Sequence, residues 1–289
     1  MIPDSIENTI KLLAQEDYIV DRSLATAVFL SLKMKKPLFL EGEAGVGKTE
    51  IAKVLAKVLG TELIRLQCYE GLDMSSAAYE WNYPRQILEI RLHESNGQIK
   101  KNNVVEEEIF GDKFLIKRPL LRALEHNPTG QPPVLLIDEL DRSDEPFEAF
   151  LLEILSDFQI TIPEMGTVKA DVPPIVVITS NRTREIHDAV KRRCLYHWVS
   201  YPDFARELDI LKRKIGDINN KLAEQIVEHV QVLRNENVFK KPGTAETLDW
   251  AKALQVLSQT ELSPSVIEST LGVLLKYQDD IDKILTSNK

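Results

Sequence analysis

The pattern of apolar and polar residues predicts two helices, then strands that alternate with helices. Apolar residues recur at helical spacing in residues 4–15 and 21–33, each stretch following a capping residue. Four short apolar runs predict buried strands, at residues 38–40, 62–66, 133–139 and 174–181. Runs that are apolar throughout are typical of parallel strands covered on both faces. We therefore expect an α/β core with a central parallel sheet.

From about residue 200 onward the pattern is helical throughout. The predicted helices lie at residues 203–214, 219–234, 245–257 and 263–285, the last broken near Tyr277. The sequence thus predicts two domains, an α/β core over residues 1–199 and a small all-helical domain over residues 200–289. Two irregular features accompany them, a linker near 198–202 and an insertion within about 71–118. A short hairpin is expected over residues 159–170.

Composition and charge narrow the class of protein. The 289 residues exceed a usual single domain, and no apolar run is long enough to span a membrane. No signal-peptide pattern opens the chain, so a cytoplasmic location is expected. The formal charge of −9 disfavours a nucleic-acid partner, because phosphate-backbone binding depends on clustered Lys and Arg. Cys68 and Cys194 lack metal-type spacing, so buried thiols are expected.

A glycine-rich loop after the first strand carries the chemistry. Glycines at 42, 45 and 47 let backbone N–H groups approach an anion, and the helix that follows adds positive potential. Strand, loop and helix occur in the order of a phosphate-binding loop. We expect Lys48 to contact the β- and γ-phosphates and Thr49 to bind Mg²⁺. The expected nucleotide-binding residues are Gly42, Glu43, Ala44, Gly45, Val46, Gly47, Lys48, Thr49 and Glu50.

Two other strands end in polar residues that suit hydrolysis. Asp138 and Glu139 end the run at 133–139, where the carboxyl ends of parallel strands meet the loop. Asp138 is expected to hold Mg²⁺ through water, and Glu139 to accept a proton from, or orient, the attacking water. Asn181 ends the next strand, and its amide suits the positioning of that water.

Two further features are ambiguous when taken alone. Ile19 and Val20 belong to an apolar link that is either core packing or a seat for an adenine ring. Arg192 and Arg193 follow a short helical turn, where a solvated surface is the ordinary interpretation.

Taken together, these stretches resemble the AAA+ ATPases over nearly the whole chain. Residues 42–49 match the Walker A motif, residues 135–139 Walker B, and residues 179–181 sensor 1. The resemblance implies a P-loop NTPase that binds ATP and Mg²⁺ and assembles into a homo-oligomeric ring, commonly a hexamer. It also implies that Arg193, with Arg192 close behind, is an arginine finger that acts on a neighbouring subunit.

A finer resemblance is to the MoxR branch of that family. It depends on residues 138–143, on the insertion before residue 119, and on Tyr201-Pro202-Asp203. Residues 70–73, 79–83 and 242–247 are similar to a subgroup linked to maturation of molybdenum-containing carbon monoxide dehydrogenases. The resemblance implies an ATP-driven chaperone with a protein client and a partner that bears a von Willebrand factor A domain.

One departure from the family and several alternatives remain open. Many AAA+ lids carry a sensor 2 arginine, but residues 241–246 contain none, which leaves Lys240 or Lys241 as replacements. A nucleic-acid motor of the same superfamily would need a basic stripe. A small-molecule kinase or GTPase on the same loop would need an acceptor pocket. A binding protein without catalysis would not need Glu139 or Asn181.

Overall fold

The computed structural model describes residues 2–95, 109–125 and 130–287 of the chain. The helices of the first 199 residues are α1 (Ile6–Ala14), α2 (Arg22–Met34), α3 (Lys48–Leu59), α4 (Met74–Ala77), α5 (Tyr83–Ser95), α6 (Pro119–Leu124), α7 (Glu145–Asp157) and α8 (Asp188–Lys191). The later helices are α9 (Phe204–Ile215), α10 (Asn220–Asn235), α11 (Thr244–Val256), α12 (Pro264–Leu274) and α13 (Gln278–Ser287). The strands are β1 (Leu38–Gly42), β2 (Leu63–Gln67), β3 (Tyr79–Trp81), β4 (Leu115–Lys117), β5 (Val134–Asp138), β6 (Gln159–Ile162), β7 (Gly166–Lys169), β8 (Ile175–Ser180) and β9 (Leu195–Val199).

Five parallel strands form the central sheet in the order β2-β5-β8-β1-β9. The register places Gln67 opposite Asp138 and Glu41 opposite Ser180, so the carboxyl ends of four strands meet at one edge. This confirms the predicted α/β fold with a central parallel sheet. It also brings the loop after β1 beside the polar ends of β5 and β8, which is where ligands bind in open parallel sheets.

The fifth strand was not predicted from the sequence. In β9 the side chains alternate between partly buried and exposed positions, and Tyr196 and Trp198 remain well exposed. An edge strand of this kind lacks the continuous apolar run that marks a central strand. Because Trp198 and Val199 pair with Glu41 and Gly42 of β1, the predicted linker at 198–202 begins two residues too early.

The sheet separates two apolar layers. Phe39, Ile137 and Ile178 point to one layer, which α6 and α7 complete. Leu38 and Leu136 point to the other layer, which α1, α2 and α3 complete. Because successive side chains of a strand point to opposite faces, both layers are built from the same short apolar runs.

The predicted insertion is packed against the core where it begins. Tyr79 and Trp81 of β3 are buried, and β3 pairs with β4 in a small antiparallel ladder. The helix α5 follows and exposes Ile87 and Leu88. Residues 96–108 of the insertion lie outside the described residues. The hairpin predicted over 159–170 is present as β6 and β7.

Helices α9 to α13, named the lid here, have an apolar core of their own, which includes Leu211, Ile226, Trp250 and Leu271. Their bounds agree with the prediction to within two residues, including the break before α13. Within the described residues, no helix combines the length and apolar character needed to cross a bilayer.

Candidate functional site

The loop between β1 and α3 has the backbone of an anion-binding loop. Gly42, Gly45 and Gly47 all have positive φ, at 155°, 75° and 89°. A Cβ at Gly42 would lie 2.2 Å from the carbonyl oxygen of Val199, so only glycine fits beside β9. Gly47 is the N-cap of α3, which begins at Lys48. The free N–H groups of this first helical turn therefore face the loop, as anion binding requires.

Lys48 is held inside the loop. Its Nζ donates hydrogen bonds to the carbonyl oxygens of Gly42 at 2.7 Å and Glu43 at 2.6 Å. The side chain is buried, and this burial lowers the pKa of Lys48 to about 8. An anion that reaches Nζ would therefore meet a poorly hydrated ammonium group, whose Coulomb attraction is stronger than in water.

Asp138 is saturated by hydrogen bonds at the end of β5. Its Oδ1 accepts from the hydroxyls of Thr49 at 2.8 Å and Thr179 at 2.6 Å. Its Oδ2 accepts from Nε and a terminal nitrogen of Arg65 at 3.1 and 2.5 Å. Only 1% of Asp138 is exposed, so these contacts fix its carboxylate against the loop.

Glu139 lies beside Asn181, as the sequence predicts. Glu139 has a φ of 55°, a left-handed conformation that is uncommon for a residue other than glycine. Its N–H donates to Thr179 Oγ1 at 2.9 Å, which stabilises this conformation. Asn181 Nδ2 donates to Glu139 Oε1 at 3.4 Å, and Gln67 Nε2 donates to Oε2 at 3.0 Å. Arg142 also donates to Oε2 at 3.2 Å, so the carboxylate lies between two amides and a guanidinium group, with about a third of its side chain exposed to solvent.

The backbone after β8 is positioned by a buried carboxylate. Asp141 is 3% exposed and accepts from the N–H groups of Asn181 at 3.1 Å and Thr183 at 2.8 Å. This contact orients the chain that presents the Asn181 amide to Glu139.

A cavity of about 490 Å³ opens above the loop, between the core and the lid. Residues 44–50 line it together with Asp138, Glu139, Asn181 and the apolar link at Tyr18 and Ile19. The lid side is lined by Arg206, Ile210, Lys214, Thr244, Ala245 and Leu248. The volume and the mixture of apolar and polar walls suit a nucleotide.

The apolar link is divided between the cavity and the core. Ile19 lines the cavity, whereas Val20 packs against the apolar layer that contains Leu40. Tyr18 donates its hydroxyl to the carbonyl oxygen of Gly47 at 3.2 Å and so connects this link to the loop. Burial raises the pKa of Tyr18, so the hydroxyl stays protonated.

The lid touches the loop directly. The N–H of Ala245 donates to the carbonyl oxygen of Gly45 at 3.2 Å. A Cβ at Gly243 would lie 2.7 Å from the Ala44 carbonyl oxygen and 2.9 Å from Gly45 Cα, so the two backbones are in close contact. We name this contact the lid seam, formed by residues 243–245 and 44–45.

The cations of the lid differ from those suggested by the sequence. Lys240 and Lys241 are exposed and do not line the cavity, which disfavours them as replacements for a sensor 2 arginine. Arg206 lines the cavity but is paired with Asp21 at 2.7 Å. Lys214 also lines the cavity and makes no ion pair within the described part of the chain.

Arg192 and Arg193 lie away from the cavity of their own chain. Arg193 donates to the Ser156 hydroxyl and, at 2.8 Å, to the carbonyl oxygen of Ala189. The side chain of Arg192 is 81% exposed and lies 3.8 Å from Asp188. Neither arginine is among the described residues that line the cavity beside Glu139.

The cysteines have no chemical surroundings that would activate them. Burial raises the pKa of Cys68 and of Cys194 to about 12. Both thiols therefore stay protonated, in agreement with a packing role.

The residues around Thr49 fit a magnesium ion. The Thr49 hydroxyl and the Asp138 carboxylate are hard oxygen donors 2.8 Å apart, and the cavity beside them has room for phosphates and water. Mg²⁺ typically uses one or two protein oxygens and completes its shell with phosphate and water. No group of three or more His, Cys, Asp or Glu suited to a metal occurs within residues 2–95, 109–125 and 130–287.

Comparison with known proteins identifies the family. A family model described as "ATPase family associated with various cellular activities (AAA)" matches residues 38–199, more than half of the chain. The chain belongs to this AAA ATPase family. ATP binding and hydrolysis in general terms follow from that membership.

The sequence relatives of this AAA ATPase are moderately similar. A protein of Staphylococcus aureus (strain NCTC 8325 / PS 47), described as uncharacterized, is 26% identical over 208 residues. A second, from Staphylococcus aureus (strain USA300) and described in the same way, is 27% identical over 212 residues. Each match covers 70% of this chain and 69% of the relative.

Among solved structures, this AAA ATPase is similar to the Thermotoga maritima RuvB P216G mutant. The TM-score is 0.50 at 16% identity, covering 97% of this chain and 75% of that chain. At this identity the likeness concerns the fold alone.

Among the residues of this AAA ATPase site that were not predicted are Arg65 and Gln67. They are polar residues two positions apart on β2, so both point to one face of the sheet. Gln67 ends the strand opposite Asp138. Their position could have been predicted, because two polar residues lie on one face of an otherwise apolar strand, beside the strand that ends in Asp138.

Proposed function

We propose that this AAA ATPase is a Mg²⁺-dependent chaperone of the MoxR type that hydrolyses ATP to remodel or mature a client protein. The observation that carries the catalytic part is the convergence of Lys48, Thr49, Asp138, Glu139 and Asn181 on one cavity. A binding protein without catalysis would not need a partly exposed carboxylate held by two amides and Arg142 beside a phosphate-binding loop.

Each side chain has a separate task in this proposal. Lys48 and the N–H groups of the loop hold the phosphates, and Thr49 and Asp138 hold the metal ion. When bound, Mg²⁺ supplies positive charge that neutralises charge developing on the phosphates. Glu139 orients the attacking water and accepts its proton, and Asn181 positions that water through its amide. Tyr18, Ile19, Ile210 and Leu248 form the apolar seat for the adenine ring.

The proposed assembly is a homo-oligomeric ring, which we expect to be a hexamer. AAA+ proteins typically form rings, and Arg192 and Arg193 lie outside the cavity of their own chain, which supports a role in a neighbouring site. An arginine finger supplied in trans is worth about 10³ to 10⁵ in rate. Hydrolysis would then depend on subunit contacts.

The MoxR assignment rests on the sequence resemblance, and the fold supports it only at the level of the family. The two proposed domains, residues 1–199 and 200–289, meet at the cavity, so nucleotide binding would couple to lid movement. The proposed partners are a protein with a von Willebrand factor A domain and a client that contains a molybdenum hydroxylase metal centre.

The catalytic proposal is tested with three purified proteins, the wild type, Glu139→Gln and Lys48→Ala. Glu139→Gln should bind ATP with Mg²⁺ and fail to hydrolyse it, and Lys48→Ala should lose nucleotide affinity. Phosphate release is measured without any added acceptor, which separates hydrolysis from kinase activity. If Glu139→Gln hydrolyses ATP at the wild-type rate, Glu139 does not accept the proton of the attacking water.

The chaperone proposal needs a different measurement. The rate of ATP hydrolysis is measured in the presence of a candidate von Willebrand partner and molybdenum hydroxylase subunits. It is measured separately in the presence of duplex DNA at several salt concentrations. Stimulation by the protein pair supports the proposal, and maturation of the hydroxylase that depends on Glu139 would identify the client. Stimulation by DNA alone, weakening as salt rises, would instead favour a nucleic-acid motor.

A further inference from the structure

We propose that Arg65 is the resident counter-ion of Asp138 and that it sets the Mg²⁺ affinity of the site by sharing that carboxylate with the metal. The inference rests on the magnesium site of the proposed function. It concerns the strength of metal binding, which the resemblance to a family does not determine.

The contact between Arg65 and Asp138 is specific. Nε and a terminal nitrogen of Arg65 both donate to Asp138 Oδ2, at 3.1 and 2.5 Å. The same terminal nitrogen donates to Gln67 Oε1 at 2.5 Å, which holds the guanidinium group above the end of β5. Since Oδ1 already accepts from Thr49 and Thr179, Arg65 occupies the other oxygen of the carboxylate.

Arg65 is the cation that neutralises Asp138 within the described residues. Lys48, the cation of the loop, directs its ammonium group to the carbonyl oxygens of Gly42 and Glu43. No ion pair of Asp138 other than that with Arg65 occurs in the part of the chain that the structure describes. Removal of Arg65 would thus leave a buried carboxylate without its ion-pair partner, and only the Coulomb attraction of Lys48 would remain.

The position of Arg65 allows it to yield to a metal ion. It lies on β2, an edge strand of the sheet, and 49% of its side chain is exposed, whereas the side chain of Asp138 is 2% exposed. A half-exposed arginine can move into water at little cost, but the buried carboxylate cannot. When Mg²⁺ binds, Arg65 can therefore move away and leave the Asp138 carboxylate to the metal ion, without rearrangement of the sheet.

Charge sharing and simple scaffolding predict effects of opposite sign. A carboxylate that is already paired attracts a divalent cation less strongly, so loss of Arg65 should tighten Mg²⁺ binding. If Arg65 only fixes the orientation of Asp138, its loss should loosen the metal ligand and weaken Mg²⁺ binding. The sign of the change separates the two roles.

The experiment measures the affinity of a fluorescent ADP analogue for the full chain as Mg²⁺ is added from EDTA buffer. The measured quantity is the Mg²⁺ midpoint, the Mg²⁺ concentration at which half of the increase in affinity for the ADP analogue has occurred. The variants are Arg65→Gln, Arg65→Lys and the matched control Arg122→Gln, which breaks an exposed pair with Glu62 next to the same strand. The melting temperature of each protein is recorded in EDTA and in Mg²⁺ with ADP.

The Mg²⁺ midpoint of Arg65→Gln should fall by about three- to tenfold, a range that allows for solvent screening of a half-exposed arginine. Arg65→Lys keeps the charge and should lie between Arg65→Gln and the wild type, and Arg122→Gln should match the wild type. In EDTA, the melting temperature of Arg65→Gln should be lower than that of the wild type. In Mg²⁺ with ADP, the difference between the two melting temperatures should be smaller.

Two results would overturn the inference in different ways. An unchanged or higher midpoint for Arg65→Gln, with a clear Mg²⁺ response in the wild type, would refute charge sharing and leave the magnesium site intact. If the ADP affinity of the wild-type protein does not change with Mg²⁺, the proposed magnesium site is wrong, and the inference fails with it. A midpoint for Arg65→Lys at or below that of Arg65→Gln would also count against the inference, because lysine keeps the positive charge.

Discussion

The lid seam offers the sharpest test of how the two parts of the nucleotide site meet, through the change Gly243→Ala. Gly243 has φ −84° and ψ 179°, a conformation that alanine adopts without strain. The methyl group would nevertheless lie 2.7 Å from the Ala44 carbonyl oxygen and 2.9 Å from Gly45 Cα. The effect of the substitution is therefore steric and confined to the seam.

The magnitude follows from these distances. Ordinary contact begins at 3.4 Å, so the lid and the loop must separate by about 0.7 Å at Gly243. The hydrogen bond from Ala245 to Gly45 is already 3.2 Å long and would be lost, at about 0.5–1.5 kcal/mol. Overpacking of this kind typically costs about 1–3 kcal/mol in total. We expect the affinity for ADP to fall by about 5- to 150-fold, because both sides of the seam line the proposed nucleotide cavity.

The assay is equilibrium binding of a fluorescent ADP analogue, with the melting temperature as a check on folding. The matched control is Gly272→Ala in α12, where an added Cβ has no neighbour within 4 Å. That change should raise stability by about 0.5–1 kcal/mol and leave ADP affinity unaltered. A wild-type affinity for Gly243→Ala, in a protein that melts normally, would refute the idea that the seam must close on the nucleotide.

Three further predictions concern the cations of the site. Lys214→Gln should weaken ATP binding more than AMP binding, because Lys214 lines the cavity and has no ion-pair partner among the described residues. Lys212→Gln on the same helix should change neither affinity, and an equal loss of ATP and AMP affinity in Lys214→Gln would exclude a phosphate contact. Since burial lowers the pKa of Lys48 to about 8, its charge is lost above that pH, and ADP affinity should fall by up to about tenfold per pH unit. The stability of the ligand-free protein should rise between pH 8 and 10.5, because the unfolded chain then binds more protons at Lys48 than the folded chain does. Calorimetry of the ligand-free protein and ADP binding, both measured from pH 7 to 10, test the rise in stability and the fall in affinity. Arg193→Ala should abolish turnover and keep ADP binding; if Arg192→Ala alone does so, the exposed residue is the finger.

The local pattern of the chain was sufficient for most of the architecture. Apolar runs such as 133–139 predicted the central strands, because strands covered on both faces cannot include many polar residues. Helical spacing predicted the lid helices and the break before α13. The edge strand β9 was missed because half of its side chains face solvent, and its place beside β1 depends on a long-range pairing.

The sequence by itself also determined which chemical groups the site contains. The spacing of glycines before Lys48 and Thr49 requires a loop that binds phosphate, and polar residues at strand ends collect at one edge of a parallel sheet. Asp138, Glu139 and Asn181 could therefore be placed near the loop before any distance was known.

The surroundings of these groups depend on contacts between distant parts of the chain. The pairing of Arg65 with Asp138 depends on the register between β2 and β5, and the lid seam depends on how residues 243–245 fold back onto the loop. The tertiary structure also places Lys214, rather than Lys240 or Lys241, on the wall of the cavity. Such contacts join residues far apart in the chain, and packing, which no local pattern encodes, selects among the many pairings that the sequence would allow.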